Sequence, residues 1–133
     1  MEEKSKFPKK AVIDASFILS LFLPDEKTKE AGDKFLDSYN GGKISLFAPY
    51  LLSFEVINGL KMAIKRKRVK QNKGQALAKS FLKLRIDYQE VNPIKTLKLA
   101  LKRNLSVYDA CYLTLSRQLK YKLLTLDKKL ATF

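Results

Sequence analysis

Residues 11–19 read AVIDASFIL, and this stretch decides the fold class. Residues 11–13 are a short apolar run of the strand type, and the run ends at Asp14. Residues 16–23 have the pattern of a short helix, which Pro24 stops. A strand, an acidic residue and a helix therefore follow one another at the start of the chain.

The rest of the chain continues this alternation of strands and helices. It predicts an α/β domain over residues 7–133 with a mostly parallel sheet, after a flexible tail at residues 1–6. Pro49 is expected in the first turn of a helix, where its missing N–H costs little. The predicted strands are residues 44–48, 86–91 and 123–126, and the predicted helices are residues 28–39, 49–67, 72–84, 93–103 and 107–119, with a final turn at 128–133.

The composition narrows the class of protein. The chain has 133 residues, of which 46% are hydrophobic, which suits one compact domain. No apolar run approaches the roughly 20 residues that span a bilayer, so no membrane partner is expected. A single cysteine, Cys111, excludes an internal disulfide and fits a reducing cytoplasm. The absence of histidine excludes catalytic triads built on histidine and histidine-ligated zinc.

The net charge of +14 is unevenly distributed. Residues 61–103 hold fourteen lysines and arginines against two acidic residues, a balance of +12. Such a surface attracts polyanions, with RNA or DNA as the first candidate. Lys61, Lys65 and Arg68 are predicted as phosphate contacts, roughly along one helical face if the helix persists as far as Arg68. A solvated lysine-rich face explains the same pattern about as well.

Four acidic residues lie in otherwise apolar stretches, namely Asp14, Glu55, Asp109 and Asp127. A buried carboxylate requires a partner, yet no lysine or arginine lies three or four residues from the last three. Asp14 and Asp127 follow predicted strands, and ligands of parallel sheets bind beyond the carboxyl ends of the strands. If the four side chains converge, oxygen ligands without histidine favour Mg²⁺ or Mn²⁺.

Helix capping offers a competing explanation for three of these residues. Asp14 and Asp127 each precede a predicted helix, and Asp109 forms the pattern of a capping box with Ser106. Taken singly, each of the three is better explained as a cap. Glu55 lies within a helix among apolar neighbours and resists that explanation. The joint occurrence of all four favours a functional site.

Four motifs carry a family resemblance: VIDAS at 12–16, FEVINGL at 54–60, YDACYLTLS at 108–116 and LLTLD at 123–127. In this order and spacing they resemble the PIN-domain ribonucleases, especially the VapC-type toxins of toxin–antitoxin pairs. The resemblance covers residues 11–130 and implies an α/β/α sandwich with four or five strands. It also implies a homodimer and an antitoxin partner.

The resemblance assigns the catalytic, metal-binding cluster to the same four acidic residues. It places Ser16 and Thr125 at small hydroxyl positions beside the first and last acid, and Asn58 at a polar position near Glu55. The implied activity is that of an endoribonuclease dependent on Mg²⁺ or Mn²⁺. Bound divalent ions can lower the pKa of an attacking water and hold the phosphate in line. Glu55 is left open as either a metal ligand or the group that deprotonates water.

Three alternatives to this function remain open. The chain could be a PIN nuclease of RNA processing that has no antitoxin, or a catalytically idle PIN module that binds RNA or protein. The presence of all four acidic residues argues against the idle module. A flavodoxin-like receiver domain would need a phospho-acceptor aspartate after a middle strand and a lysine after a late one, and the order of motifs fits that poorly.

Overall fold

A computed structural model describes residues 7–25 and 27–132. The expected flexible tail at residues 1–6 lies outside this part of the chain. Four strands form one sheet in the order β3-β2-β1-β4, and all three pairings are parallel. The predicted α/β class and the parallel sheet are therefore confirmed. The strands are β1 (Lys10–Ile13), β2 (Ser45–Pro49), β3 (Ile86–Gln89) and β4 (Lys122–Leu124).

Seven helices connect and cover the strands in the described part of the chain. None of them is long and apolar enough to cross a membrane. Their ends lie within about three residues of the predicted ones. The helices are α1 (Ala15–Phe22), α2 (Lys29–Asn40), α3 (Leu52–Lys65), α4 (Gln71–Leu82), α5 (Pro93–Arg103), α6 (Val107–Leu119) and α7 (Lys128–Ala131).

The prediction that Pro49 opens a helix is wrong. Pro49 is the last residue of β2, where it pairs with Gln89 of β3, and α3 begins three residues later at Leu52. The pairing of β2 with β1 ends at Phe47, so the missing N–H of Pro49 leaves no gap in that ladder. β2 tolerates proline at this position because its pairing with β1 has already ended and only its pairing with β3 continues to Pro49.

The sheet is covered on both faces at its centre. Ala11, Val12 and Ile13 are each fully buried, and successive residues of a strand point to opposite faces. The larger apolar cluster joins β1, β2 and β4 to α1, α2, α3, α4 and α6, and the smaller one joins α5, α6 and α7. Burial on alternating sides is what a sandwich of two helical layers around a sheet produces.

The close approach of α1 and α3 depends on Gly59. A Cβ at this position would lie 2.3 Å from Cδ1 of Leu19, so any larger residue would displace that side chain. Glu55 lies one turn before Gly59 on α3. The close crossing of the two helices therefore brings Glu55 near the start of α1, which follows Asp14 directly.

The strand order creates a switch point beside β1. The chain proceeds from β1 to β2 and β3 on one side of the sheet and returns to β4 on the other. At such a point the connections leave the carboxyl ends of two neighbouring strands in opposite directions, which opens a crevice there. Asp14 follows β1, and Thr125 follows β4, at this crevice.

Candidate active site

Asp14 is the buried centre of the site, with only 4% of its surface exposed. It is the N-cap of α1, and its Oδ1 accepts a hydrogen bond from the Phe17 N–H at 3.0 Å. Ser16 Oγ donates to the same oxygen at 2.7 Å, and the Thr125 hydroxyl donates to Oδ2. The capping explanation is therefore confirmed in geometry, but it accounts for only one of these three donors.

The two hydroxyl groups tie the ends of β1 and β4 together. Ser16 Oγ accepts from the Leu126 N–H at 2.9 Å, and Thr125 Oγ1 accepts from the Asp127 N–H at 3.0 Å. Each hydroxyl thus donates to Asp14 and accepts from the backbone that leads to Asp127. This arrangement fixes the position of the Asp14 carboxylate across the switch point.

Burial raises the pKa of Asp14 above its ordinary value of 3.8. The hydrogen bonds from Thr125, Phe17 and Ser16 oppose this effect, and the charge of Asp127 adds to it. The folded protein therefore holds an acidic side chain that is costly to ionise. In the described part of the chain no lysine or arginine forms an ion pair with it.

Glu55 lies in the first turn of α3 and is half-buried. The hydroxyl of Tyr112 donates to its Oε1 at 2.5 Å. Burial raises the pKa of Glu55, the Tyr112 hydrogen bond lowers it, and the charges of Asp109 and Asp14 raise it further. The polar partner that was expected for Glu55 is thus Tyr112 on α6.

Tyr112 was not predicted as a site residue, although the sequence carries a signal for it. Tyr112 follows Asp109 by three residues on a helix and is 1% exposed. A tyrosine hydroxyl that is buried at this depth needs a hydrogen-bond partner, and the facing side chains of the acidic cluster could supply one. Burial, followed by the bond to Glu55, raises the pKa of this phenol, so Tyr112 remains a donor at neutral pH.

A cleft of about 360 Å³ opens beside Glu55. Asn58 lines it, one turn after Glu55, as the polar residue expected at that position. Tyr108 also lines it and is 65% exposed, and the exposed Phe54 contributes a second aromatic ring. Neither aromatic residue was anticipated from the sequence. The full lining consists of Ala15, Leu51, Phe54, Glu55, Asn58 and Tyr108.

Asp127 is the N-cap of α7, as predicted, whereas at Asp109 the described hydrogen bonds include only the Ser106 half of the predicted capping box. The Asp109 N–H donates to Ser106 Oγ at 3.0 Å, and Asp127 Oδ1 accepts from the Lys129 N–H at 2.8 Å. Their charges nevertheless reach the other two acids: Asp127 acts on Asp14, while Asp109 and Asp14 act on Glu55. One electrostatic network therefore links all four carboxylates, and capping accompanies the cluster instead of replacing it.

The donor chemistry of this network fits a hard divalent cation. The four residues offer oxygen ligands and excess negative charge, and the described structure provides no lysine or arginine ion pair for any of them. Within residues 7–25 and 27–132, no three aspartate, glutamate or cysteine side chains could enclose an ion as they stand. The oxygens of Asp14 and Glu55 are instead turned toward their hydroxyl and amide donors.

The predicted phosphate contacts do not share one helical face. Lys61 and Lys65 lie on α3, but that helix ends at Lys65, and Lys67 adopts a left-handed conformation with φ of 60°. Arg68 therefore lies on the connection to α4. All three side chains are exposed, and none lines the cleft beside Glu55.

Comparison with known proteins identifies the class that this fold and site define. The PIN domain family matches residues 11–133, nearly the whole chain. The protein therefore belongs to the PIN-domain family, and the resemblance predicted from its motifs is confirmed.

Individual relatives agree with this assignment. The chain is 32% identical over 127 residues to Ribonuclease VapC3 of Pyrobaculum aerophilum, covering 92% of each protein. Its fold is similar to that of PAE2754 from the same organism, with a TM-score of 0.71, 23% identity and coverage of 92% and 84% of the two chains. It is also similar to Mycobacterium tuberculosis VapC20, a toxin that cleaves the sarcin-ricin loop, with a TM-score of 0.65, 14% identity and coverage of 92% and 93%.

Proposed function

We propose that this protein is an endoribonuclease of the VapC type that hydrolyses RNA phosphodiester bonds with the help of a divalent cation. The observation that carries the proposal is the environment of Asp14. It is a buried carboxylate that is held by two hydroxyl groups, has no ion pair with a described lysine or arginine, and is coupled to the charges of Asp127 and Glu55. The names of its relatives support the same activity, since one is a ribonuclease and another an RNA-cleaving toxin.

Asp14, Asp109 and Asp127 are the proposed ligands of Mg²⁺ or Mn²⁺, with Glu55 as an optional fourth. Such an ion supplies an activated water and neutralises charge that develops on the phosphoryl oxygens. Ser16 and Thr125 hold Asp14 in place, a task that residues around metal ligands commonly perform. Because they donate to the carboxylate, they also lower its pKa and so partly oppose the effect of burial.

Glu55 is suited to accept a proton from the attacking water. Its pKa is raised toward the range in which a carboxylate is a useful base, and Tyr112 fixes the orientation of its carboxylate. The same carboxylate oxygens also suit a cation. Both roles require the ionised carboxylate, so the acidic limb of the pH profile tests whether Glu55 takes part in cleavage.

The proposed biological setting is that of a toxin, with RNA as substrate, an antitoxin as protein partner and a homodimer as the assembly. Lys61, Lys65 and Arg68 are proposed to attract the RNA backbone. An antitoxin segment that carries arginine toward the carboxylates would compete with the cation and the RNA at once. The alternative is a PIN nuclease of RNA processing, which would cleave RNA without an antitoxin.

The test is cleavage of a mixed RNA pool, with the cut sites read by sequencing. Wild-type protein should cleave when Mg²⁺ or Mn²⁺ is present and stop when it is chelated. Asp14→Asn and Asp109→Asn should each abolish cleavage, whereas Asp33→Asn, at an exposed position on α2, should retain it. Full activity in both site variants would rule out the proposed cluster.

The toxin assignment has its own test. Co-purification from the native host, with neighbouring genes intact, should recover a bound antitoxin, and expression of the chain alone should arrest growth. A protein that is recovered alone, is harmless on expression and still cleaves RNA in Mg²⁺ would favour the RNA-processing alternative.

A further inference from the structure

A second cavity lies between α5 and α6, outside the acidic cluster. Its volume is about 330 Å³, and Leu99 forms part of its wall. Lys95, Lys98 and Lys102 line it from α5, at spacings of three and four residues that place them on one face of the helix. Arg117 lines it from α6. Four positive charges therefore surround one cavity, and none of the acidic residues in the described part of the chain lines it.

These four cations are not neutralised within the described part of the chain. The ion pair found there joins Glu30 to Lys34 on α2, and it involves none of the four. Like charges gathered around a concave surface repel one another, and the potential inside the cavity favours an anion. Lysines that only solvate a helix surface need not surround a cavity, whereas these three lysines and Arg117 do.

Thr114 provides an independent observation at the same place. It lines the cavity, is only 4% exposed, and its hydroxyl has no hydrogen-bond partner among the described residues. A buried hydroxyl without a partner is uncommon and destabilises the fold. The hydroxyl oxygen itself is shielded from solvent, so a small shift of the surrounding side chains would let it donate to an anion bound among the lysines.

The cavity runs away from the acidic cluster along two antiparallel helices. The end of α5 meets the cluster, since Lys129 Nζ donates to the carbonyl oxygen of Asn104 at 2.6 Å and the Lys129 N–H is capped by Asp127. From Asp109, Thr114 lies about 7 Å and Arg117 about 12 Å further along the axis of α6. A polyanion that enters the cluster can therefore extend over the cavity.

We propose that the α5–α6 cavity binds a phosphate group of the RNA strand beyond the bond that is cleaved. This inference rests on the proposed function, since it names the path of that substrate. An acidic protein segment is the competing ligand. The exposed apolar residues of α5 that would favour a protein, Ile94, Leu97 and Leu101, do not line the cavity. The wall of the cavity is itself mostly apolar, so the charges of the exposed lysines and of Arg117 around it are what would hold an anion.

The experiment measures the affinity of a fluorescent single-stranded RNA by anisotropy, in EDTA to prevent cleavage and over a range of salt. Lys98→Glu/Lys102→Glu is compared with Lys9→Glu/Lys43→Glu, which changes the net charge by the same amount at exposed positions just before β1 and β2. The α5 variant should weaken binding more than the control and lower the slope of log K against log salt by about 1.4, the value for two phosphate contacts on a single strand.

Thr114→Val tests the cavity without a change in charge. Removal of the unpartnered hydroxyl should leave the melting temperature equal or higher, and RNA affinity should fall roughly tenfold, as expected for one hydrogen bond to a charged group. Unchanged RNA affinity in this variant would argue against phosphate inside the cavity.

The outcomes separate this inference from the function on which it rests. If wild-type protein cleaves RNA but the two charge reversals weaken binding equally, the α5–α6 cavity is not a phosphate site. If the α5 reversal changes the oligomeric state in sedimentation and leaves RNA affinity intact, the face belongs to a protein interface and the proposal is overturned. If wild-type protein cleaves no RNA in Mg²⁺, the proposed function itself fails.

Discussion

The hydroxyl of Tyr112 donates a 2.5 Å hydrogen bond to Oε1 of Glu55, and this bond joins α6 to α3 beside the cleft. Tyr112 is fully buried, and Glu55 is half-buried at the edge of the cleft. The buried partner thus anchors the more accessible one. An acidic side chain that is anchored in this way keeps one orientation toward whatever enters the cleft.

We predict that Tyr112→Phe shifts the acidic limb of the pH–activity profile to higher pH. The bond from Tyr112 lowers the pKa of Glu55, so its loss leaves burial and neighbouring charges to raise that pKa further. If Glu55 accepts a proton during catalysis, its ionised form then appears only at higher pH. Tyr50→Phe, at a tyrosine that is 62% exposed, is the matched control and should leave the profile unchanged. An acidic limb that is identical in Tyr112→Phe and wild type would remove Glu55 from the role of base.

We predict that Thr125→Val lowers cleavage activity by about 10- to 100-fold, the usual cost of losing a group that orients a metal ligand. The substitution preserves the shape of the side chain and removes the donor to Asp14 Oδ2. Activity should be measured across Mg²⁺ concentrations, because a weaker cation site can be partly rescued by excess metal. Thr28→Val removes a hydroxyl that bonds to Asp25 on the exposed surface, and it should have no effect on cleavage. Equal activity in the two valine variants would contradict the proposed role of Thr125.

Without metal, ionisation of Asp14 and Glu55 should cost stability. The folded-state pKa values of both lie above the ordinary values of 3.8 and 4.5, so the folded state binds more protons than the unfolded one. The free energy of unfolding should therefore fall as pH rises from about these ordinary values through the raised ones. Urea unfolding in EDTA should show this fall in wild type and a flatter dependence in Asp14→Asn/Glu55→Gln. If the free energy of unfolding depends on pH equally in the two proteins, burial does not raise the pKa values of these carboxylates.

Two substitutions at Asp14 separate its role as a cap from its role as a charge. Asparagine is as good an N-cap as aspartate and carries no charge, so Asp14→Asn should equal or exceed wild type in stability at neutral pH without metal. Asp14→Ala loses the acceptor for the Phe17 N–H and should be about 1 kcal/mol less stable than Asp14→Asn. Urea unfolding at neutral pH measures both differences. If Asp14→Asn is less stable than wild type, the aspartate stabilises the fold through its cap and hydrogen bonds by more than its buried charge destabilises it.

The sequence predicted the strands and most helices because each leaves a local pattern, while the assignment of the four acidic residues to one site remains a prediction. The apolar run at residues 11–13 and the proline at 24 fix β1 and the end of α1 without reference to the rest of the chain. The prediction for Pro49 was wrong because the end of β2 depends on where its pairing with β1 stops. That point is set by tertiary contacts and leaves no local pattern in the sequence. The left-handed conformation of Lys67, which follows the end of α3, was likewise not predictable from the hydrophobic pattern.

The site was predicted less completely than the fold. Apolar context marked Asp14 and Glu55, but the pairing of Glu55 with Tyr112 joins residues 57 positions apart. The same limit applies to the α5–α6 cavity. Its lysines were counted as part of a long basic segment, and only the packing of α5 against α6 gathers them around one space. The roles of Lys61, Lys65 and Arg68 in RNA binding remain predictions.

The central claim is that four acidic residues form one cation site, and thermal unfolding in Mg²⁺ or Mn²⁺ tests it without RNA. A ligand that binds only the folded state adds about 2.7 kcal/mol of stability at 100 times its dissociation constant. Wild-type protein should therefore melt at progressively higher temperature as the metal concentration rises. Asp14→Asn and Asp109→Asn should show little of this shift, and Asp33→Asn should show all of it. An equal shift in all four proteins, or no shift in wild type, would contradict the account.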